Sequence, residues 1–293
     1  VYNYKNMIIG IIGNGFVGKA TCQLQCTDIQ ILAYDLNPDF CSPKGITLED
    51  MNRCEMVFIS VPTPMNTDNS CYLGIVASVL TDLDRIGYKG FRILRSTVPV
   101  GTSDVLGCYF MPEFLTEKNY VKDFINNEKW IFGLRNANTS EDILFQHRIT
   151  DLFTTAYNNR VIEYKDLNFV SNKEAEMIKM FRNCYLATKV SFCNEIAQFC
   201  ALSGVEYENV RLLAAADPRI LPSHTAVPGP DGLRGFGGTC FPKDTASLNY
   251  EMEKLGMQSY VLKAAITRNE KVDRPEKDWC RDKGRAVVSD KTV

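Results

Sequence analysis

Gly13-Asn14-Gly15-Phe16-Val17-Gly18 follows directly on the apolar run Met7-Ile8-Ile9-Gly10-Ile11-Ile12, and an amphipathic stretch opens behind it. A GxGxxG alone is weak, because glycines also mark ordinary turns. Set between a predicted strand and a predicted helix, it is the pattern of a dinucleotide-binding turn. Gly13 permits the tight turn, Gly15 lets a pyrophosphate approach the backbone, and Gly18 lets the helix lie close on the strand. The phosphates then meet free N–H groups and the positive end of the helix dipole. The next apolar run ends in Tyr34-Asp35, 20 residues beyond Gly15. An acid there accepts both ribose hydroxyls and repels the extra phosphate of NADP, so NAD is the expected cofactor. The plainer alternative for Asp35 is a solvated turn residue in Asp-Leu-Asn-Pro.

Outward from this turn, short apolar runs alternate with helix-length amphipathic stretches, the rhythm of βαβ units around a parallel sheet. Strands are predicted over 7–12, 29–34, 57–61, 91–95, 108–110, 130–134 and 160–164, with helices over 16–25, 72–86 and 141–153. Ser60-Val61-Pro62-Thr63-Pro64 and Ser96-Thr97-Val98-Pro99 both fall at the C-terminal ends of strands, the edge where an open α/β sheet forms its ligand crevice. At Ser171-Asn172-Lys173-Glu174 a capping box opens a helix predicted to run to about Ser203 without Gly or Pro. That is roughly 48 Å at 1.5 Å per residue. Met177, Phe181, Val190 and Phe192 spread apolar surface around it, so burial is expected, against a second copy of itself. Further helices are predicted over 208–216, 245–255 and 260–271. The expected fold is α/β: a Rossmann-like, parallel-sheet domain over 7–168, then an all-α domain over 171–293 built on a long central helix.

A formal net charge of −2 with no basic block favours neither nucleic acid nor an anionic membrane as partner. No apolar run approaches the roughly 20 residues that cross a bilayer, and the N-terminal stretch has no signal-peptide core. Eleven cysteines are scattered, with no CxxC pair, so neither a disulfide scaffold nor a metal site is expected. Ten read as reduced, cytoplasmic thiols packed as small hydrophobes.

Cys240 is the exception. It lies in Gly235-Phe236-Gly237-Gly238-Thr239-Cys240-Phe241-Pro242-Lys243-Asp244. Glycines before it allow close approach of a ligand, and Pro242 suits the first turn of the following helix. A helix N-terminus and a nearby cation both favour the thiolate, the reactive form. The alternative is a buried, inert cysteine before a turn. On the long helix Lys179 and Asn183 share one face, four residues apart. Met177, Ile178, Met180 and Phe181 around Lys179 suggest a buried cation rather than a solvated one.

Taken in order, several stretches resemble the UDP-glucose/GDP-mannose dehydrogenase family. They are Gly13 to Gly18, Val61-Pro62-Thr63-Pro64, Ser96-Thr97-Val98-Pro99-Val100-Gly101-Thr102, Pro112-Glu113-Phe114-Leu115, Ala175-Glu176-Met177-Ile178-Lys179 through Asn194-Glu195, Asp217-Pro218-Arg219-Ile220 and Gly235 to Asp244. The resemblance implies a four-electron oxidation of a nucleotide sugar with two NAD, UDP-glucose first among substrates, with GDP-mannose or a UDP-acetamido sugar behind it. Cys240 would capture the aldehyde as a thiohemiacetal and become a thioester that water releases. Lys179 and Asn183 would steady oxyanions, Asp244 and Thr97 would position water, and Glu113 would serve as general base. Asn14, Phe16, Val17, Glu117 and Lys243 join the cofactor contacts. Phe114, Leu115, Phe236, Gly237, Gly238 and Arg219 would meet substrate, Arg219 at the partner subunit's site. The long helix is where a homodimer would form.

Two departures accompany the resemblance. Family members continue into a third domain that grips the nucleotide, whereas this sequence runs from Cys240 only to Val293, as a natural short form or a fragment. The segment between Thr102 and Pro112 is short, and Pro228-Gly229-Pro230-Asp231-Gly232 looks inserted. Two rival readings stay open: a two-electron β-hydroxyacid dehydrogenase that needs no cysteine, and a dimeric NAD- or nucleotide-sugar-binding module without turnover. His147 and His224 show no catalytic spacing, although His224 lies in the loop leading to Cys240.

Overall fold

A computed structural model describes residues 6–135 and 139–289. Seven strands make one sheet: β1 (Met7–Ile12), β2 (Ile29–Tyr34), β3 (Met56–Ile59), β4 (Phe91–Leu94), β5 (Tyr109–Phe110), β6 (Lys129–Leu134) and β7 (Asp166–Ser171), in spatial order β2-β1-β3-β4-β5-β6-β7. All neighbours are parallel except β5 and β6. Registers such as Ile9 opposite Met56 and Phe58 opposite Ile93 set alternate side chains on opposite faces. Phe58 and Ile93 join one apolar cluster; Val57, Ile59 and Leu94 join another. A sheet covered on both faces needs uninterrupted apolar strands, which is why MIIGII and MVFI carry no polar alternation.

The helices around this sheet are α1 (Phe16–Thr21), α2 (Gly74–Arg85), α3 (Thr102–Val105), α4 (Tyr120–Ile125) and α5 (Ser140–Asn158). The expected strand over 160–164 is not formed. Arg160 takes a left-handed φ of 58°, its N–H donates to the Tyr157 carbonyl at 2.9 Å and the Val161 N–H to the Ala156 carbonyl at 3.1 Å, so these residues close α5. The last strand, β7, begins only at Asp166.

By contacts the chain divides into two compact units. One takes in the chain up to Thr63 with Leu73–Lys179; the other is Pro64–Tyr72 with Met180–Val293. The second is helical, with most of α6 (Asn172–Ser203), then α7 (Tyr207–Ala214), α8 (Phe241–Lys254) and α9 (Tyr260–Arg268), followed by a π turn over Asn269–Asp273. The capping box at the start of α6 is formed: the Ser171 N–H donates to the Glu174 carboxylate at 2.8 Å, and the Glu174 N–H to the Ser171 hydroxyl at 3.3 Å. Within the single chain one face of α6 is open, the face for which burial against a second copy was expected. Phe181, Tyr185, Phe192 and Phe199 are all more than half exposed.

Candidate active site

In the sheet unit the glycine turn has the geometry its residues require. Gly13 sits at φ 87°, and a Cβ there would lie 2.8 Å from the Ser60 carbonyl oxygen. A Cβ on Gly18 would lie 2.2 Å from the Gly13 oxygen, whereas one on Gly15 would meet nothing within 4 Å. That open face lies at the N-terminus of α1, which has no side-chain cap and no acid in its first turn. Its N–H groups therefore remain available to an anion, the fit expected for a dinucleotide's pyrophosphate. Asp35 is held at the end of β2, accepting from the Asn14 N–H at 2.7 Å and the Asn37 N–H at 2.9 Å. The two strand-end loops are tied together: the Thr63 hydroxyl donates to the Thr97 carbonyl at 2.7 Å, and the Ser96 hydroxyl to the Val61 carbonyl at 2.6 Å. Thr63 and Thr97 are buried and Pro62 is exposed, while Phe16 packs its ring 6.4 Å from that of Tyr120. Glu117 is exposed ahead of α4.

The same unit contains a buried ion pair. The Lys179 ammonium donates to the Glu113 carboxylate and, at 2.7 Å, to the Glu113 carbonyl; both side chains are at most 6% exposed. The ammonium also lies 5.9 Å from the centre of the Phe114 ring. Burial alone would push the Glu113 carboxyl up, but the Lys179 charge and hydrogen bond outweigh it, helped by the Leu115 N–H at 2.9 Å and by Arg95. Glu113 is thus held below the usual carboxylate range. Arg95 was not anticipated. It follows directly on β4 and is 2% exposed; its guanidinium donates to the Thr21 hydroxyl, and burial lowers its pKa to about 10. The only signal in the sequence is a cation closing the run Phe-Arg-Ile-Leu-Arg, which reads equally as a strand end reaching water.

In the helical unit Cys240 is the N-cap of α8, half-buried, with Pro242 in the first turn. The helix starts at Phe241 rather than near 245, because a proline in the first turn loses no intrahelical hydrogen bond. Asp244, 1% exposed, accepts from the Asn183 side-chain amide at 2.6 Å and from the Lys243 ammonium at 2.6 Å. Burial would lower the Lys243 pKa, but the Asp244 carboxylate and the Cys240 and Cys71 sulfurs raise it above its ordinary value. Cys240 therefore shares its helix end with a permanent cation. Of the other cysteines six are buried and Cys22, Cys26 and Cys71 are half-buried, and burial pushes the thiols of Cys108 and Cys54 up to about 11 and 12. Cys280 departs from the expected packing and is exposed.

Of the expected substrate contacts, Phe236 is buried while Gly237 and Gly238 are more open. Phe114 and Leu115 are half-buried beside Glu113. Arg219 projects into solvent, 87% exposed, paired with Asp217 at 2.6 Å. Its turn is held by Lys189, whose ammonium donates to the Ile220 and Leu221 carbonyls at 2.8 and 2.9 Å. The His224 ring lies 5.7 Å from that of Phe241.

Residues 45–156 match the NAD binding domain of the UDP-glucose/GDP-mannose dehydrogenase family, and residues 173–271 match its central domain. The chain belongs to this family. It is 32% identical over 239 residues to a UDP-glucose 6-dehydrogenase of Pseudomonas aeruginosa, a match covering 75% of this chain and 49% of that protein. It spans about half the length of the curated relatives it matches. A UDP-glucose dehydrogenase structure from Pyrobaculum islandicum superposes with a TM-score of 0.76 at 23% identity, covering 92% of this chain and 69% of that one. The 3-hydroxyisobutyrate dehydrogenase of Mycobacterium tuberculosis, with L-serine, superposes with a TM-score of 0.68 at 12% identity, covering 93% and 95%. Both structures share the fold, so the fold alone does not separate the two dehydrogenase classes. The family matches place the chain among the UDP-glucose/GDP-mannose dehydrogenases and make NAD the cofactor. The dinucleotide turn lies ahead of the matched residues 45–156, so its fit rests on the geometry at Gly13, Gly15 and Asp35.

Proposed function

We propose that this chain oxidises the C6 alcohol of a nucleotide sugar to the carboxylate, with UDP-glucose as substrate and a thioester on Cys240. Bound NAD supplies the hydride acceptor for each of the two oxidations. The observation that carries the reading is the setting of Cys240 at the cap of α8, with the Lys243 ammonium and the Asn183-held Asp244 carboxylate in the same first turn. A helix dipole and a cation both stabilise a thiolate over a thiol. The sulfur adds to the C6 aldehyde, giving a thiohemiacetal whose remaining C–H leaves as hydride. The resulting thioester is cleaved by water, which returns the thiol and releases the acid. Lys179 and Asn183 donate to the oxyanions, Asp244 and Thr97 orient the water, and Glu113 takes its proton. For that last role Lys179 must first release the Glu113 carboxylate, because an ion-paired, depressed carboxylate is a weak base.

Residues 7–168 serve the cofactor in this reading, and residues 171–293 serve substrate and pairing. Phe181, Tyr185, Phe192 and Phe199 are spaced by four, seven and seven, which sets them along one side of α6 as a seam for a second copy. Exposed aromatic rings in such a row favour an apolar partner over water. A reducing, cytoplasmic compartment suits the buried thiols. The deciding experiment counts NADH formed per sugar across a panel of UDP-glucose, GDP-mannose and UDP-acetamido sugars. Two NADH per UDP-glucose are expected. One NADH, with an aldehyde or ketone as product, would return the reading to a two-electron dehydrogenase; tight NADH binding without turnover would leave a binding module.

A further inference from the structure

The segment Gly235–Gly238 precedes the reactive cysteine by only two residues, and three buried side chains grip it. The Gly235 N–H donates to the Asn194 side-chain oxygen at 3.2 Å. Asn269 closes a two-way bridge with Phe236: its amide oxygen accepts the Phe236 N–H at 2.8 Å, and its amide nitrogen donates to the Phe236 carbonyl at 2.9 Å. Arg274 lies flat against Gly237, where a Cβ would fall 2.6 Å from the guanidinium carbon. Asn194, Asn269 and Arg274 are each at most 2% exposed.

A π turn brings the last two together. Asn269 and Arg274 are five residues apart, which in an α-helix of 3.6 residues per turn would set them about 140° apart around the axis. Here the Arg274 N–H returns to the Asn269 carbonyl at 2.8 Å, the i to i+5 bond of a π turn, and both side chains reach the same loop. Arg274 also pairs with Asp231 at 2.5 Å and with Asp278 through a 3.2 Å hydrogen bond. Asp231 belongs to the segment Pro228 to Gly232 that looks inserted in the sequence. The arginine thus joins that segment to the glycine loop, while its planar face occupies the space that a side chain at 237 would need.

We infer that Asn269 and Arg274 are positioning residues: through the Gly235–Gly238 loop they fix the entry of the chain into α8 and so the place of the Cys240 sulfur. The inference rests on the proposed role of Cys240, and it goes beyond it by naming what holds the thiol. A loop of glycines has many conformations to lose, so without side chains to hold it the sulfur would not keep one position.

The test uses the full chain with Asn269→Ala, Asn269→Asp and Arg274→Lys. Asn269→Asp keeps the shape but cannot donate to the Phe236 carbonyl, and Arg274→Lys keeps the charge without the flat face. Arg234, exposed immediately before the loop, offers a trypsin site whose cleavage reports loop release. For both Asn269 variants, cleavage after Arg234 should rise about tenfold and iodoacetamide labelling of Cys240, read by peptide mass, about fivefold. Because small misplacements of a reacting group are costly, kcat for NADH formation should fall at least about tenfold, with KM for NAD unchanged. Arg274→Lys should lie between wild type and these variants. Wild-type cleavage and labelling rates in both Asn269 variants would overturn the inference. So would an opened loop with unchanged kcat, or a KM for NAD that rises together with the loss of kcat. If wild-type protein forms no NADH with any nucleotide sugar, the proposed function fails, while the cleavage and labelling rates still decide whether Asn269 and Arg274 hold the thiol.

Discussion

At the scale of single residues, two buried charge arrangements bear on the proposed chemistry, and each gives an expected outcome. Cys240→Ala removes the sulfur proposed to carry the thioester, so acid formation from the nucleotide sugar should fall below detection while NADH still binds; a two-electron enzyme would keep its turnover. Product analysis by mass spectrometry separates the two. Glu113 and Lys179 form a pair in which removing one partner strands the other charge, a loss of about 3–5 kcal/mol for buried pairs. Lys179→Met should therefore destabilise the sheet unit far more than the joint Lys179→Met, Glu113→Gln change. The pH dependence follows from the direction of the Glu113 shift. Its folded pKa lies below the ordinary value of 4.5, so the stabilisation is complete above that value and is lost as pH falls from it through the lowered one. Urea unfolding between pH 7 and pH 3 should show an acid-limb loss that Glu113→Gln reduces.

The elements explain what residues alone do not. The glycine turn and the capping box of α6 were both legible in the sequence, because each depends on spacing within a few residues and on local backbone geometry. The strand expected over 160–164 was misplaced for the converse reason. Val161 and Ile162 look like a strand, but the end of α5 needs them for its closing turn, and a helix terminus outweighs β-propensity over so short a run. Along α6 the sequence showed apolar residues on several sides, and only the structure separated those packed within the chain from the exposed stripe of Phe181, Tyr185, Phe192 and Phe199. If that stripe is the seam of a homodimer, Phe192→Glu should convert dimer to monomer in light scattering without lowering the melting temperature of the sheet unit. A dimer that persists would move the interface elsewhere.

For the whole molecule, binding and stability are linked. A ligand at 100 times its Kd adds about 2.7 kcal/mol to the state that binds it. NAD should therefore raise the melting temperature, NADP should do so far less, and Asp35→Ala should narrow the difference between them. Equal shifts by both cofactors in the wild type would mean that Asp35 is only a turn residue. The sequence by itself determined the glycine turn, the first six strands of the sheet, the long helix and the family. Those features are written in short spacings and in strand and helix periods, which the backbone reads locally. Only the tertiary structure decided that Arg95 is buried beside Glu113's charge, that Asn183 and Lys243 converge on Asp244, and that Asn269 and Arg274 grip a loop more than 30 positions earlier. Such partners are chosen by burial: a polar group taken out of water must find its hydrogen bond wherever the chain happens to pass, and no local pattern records where that is.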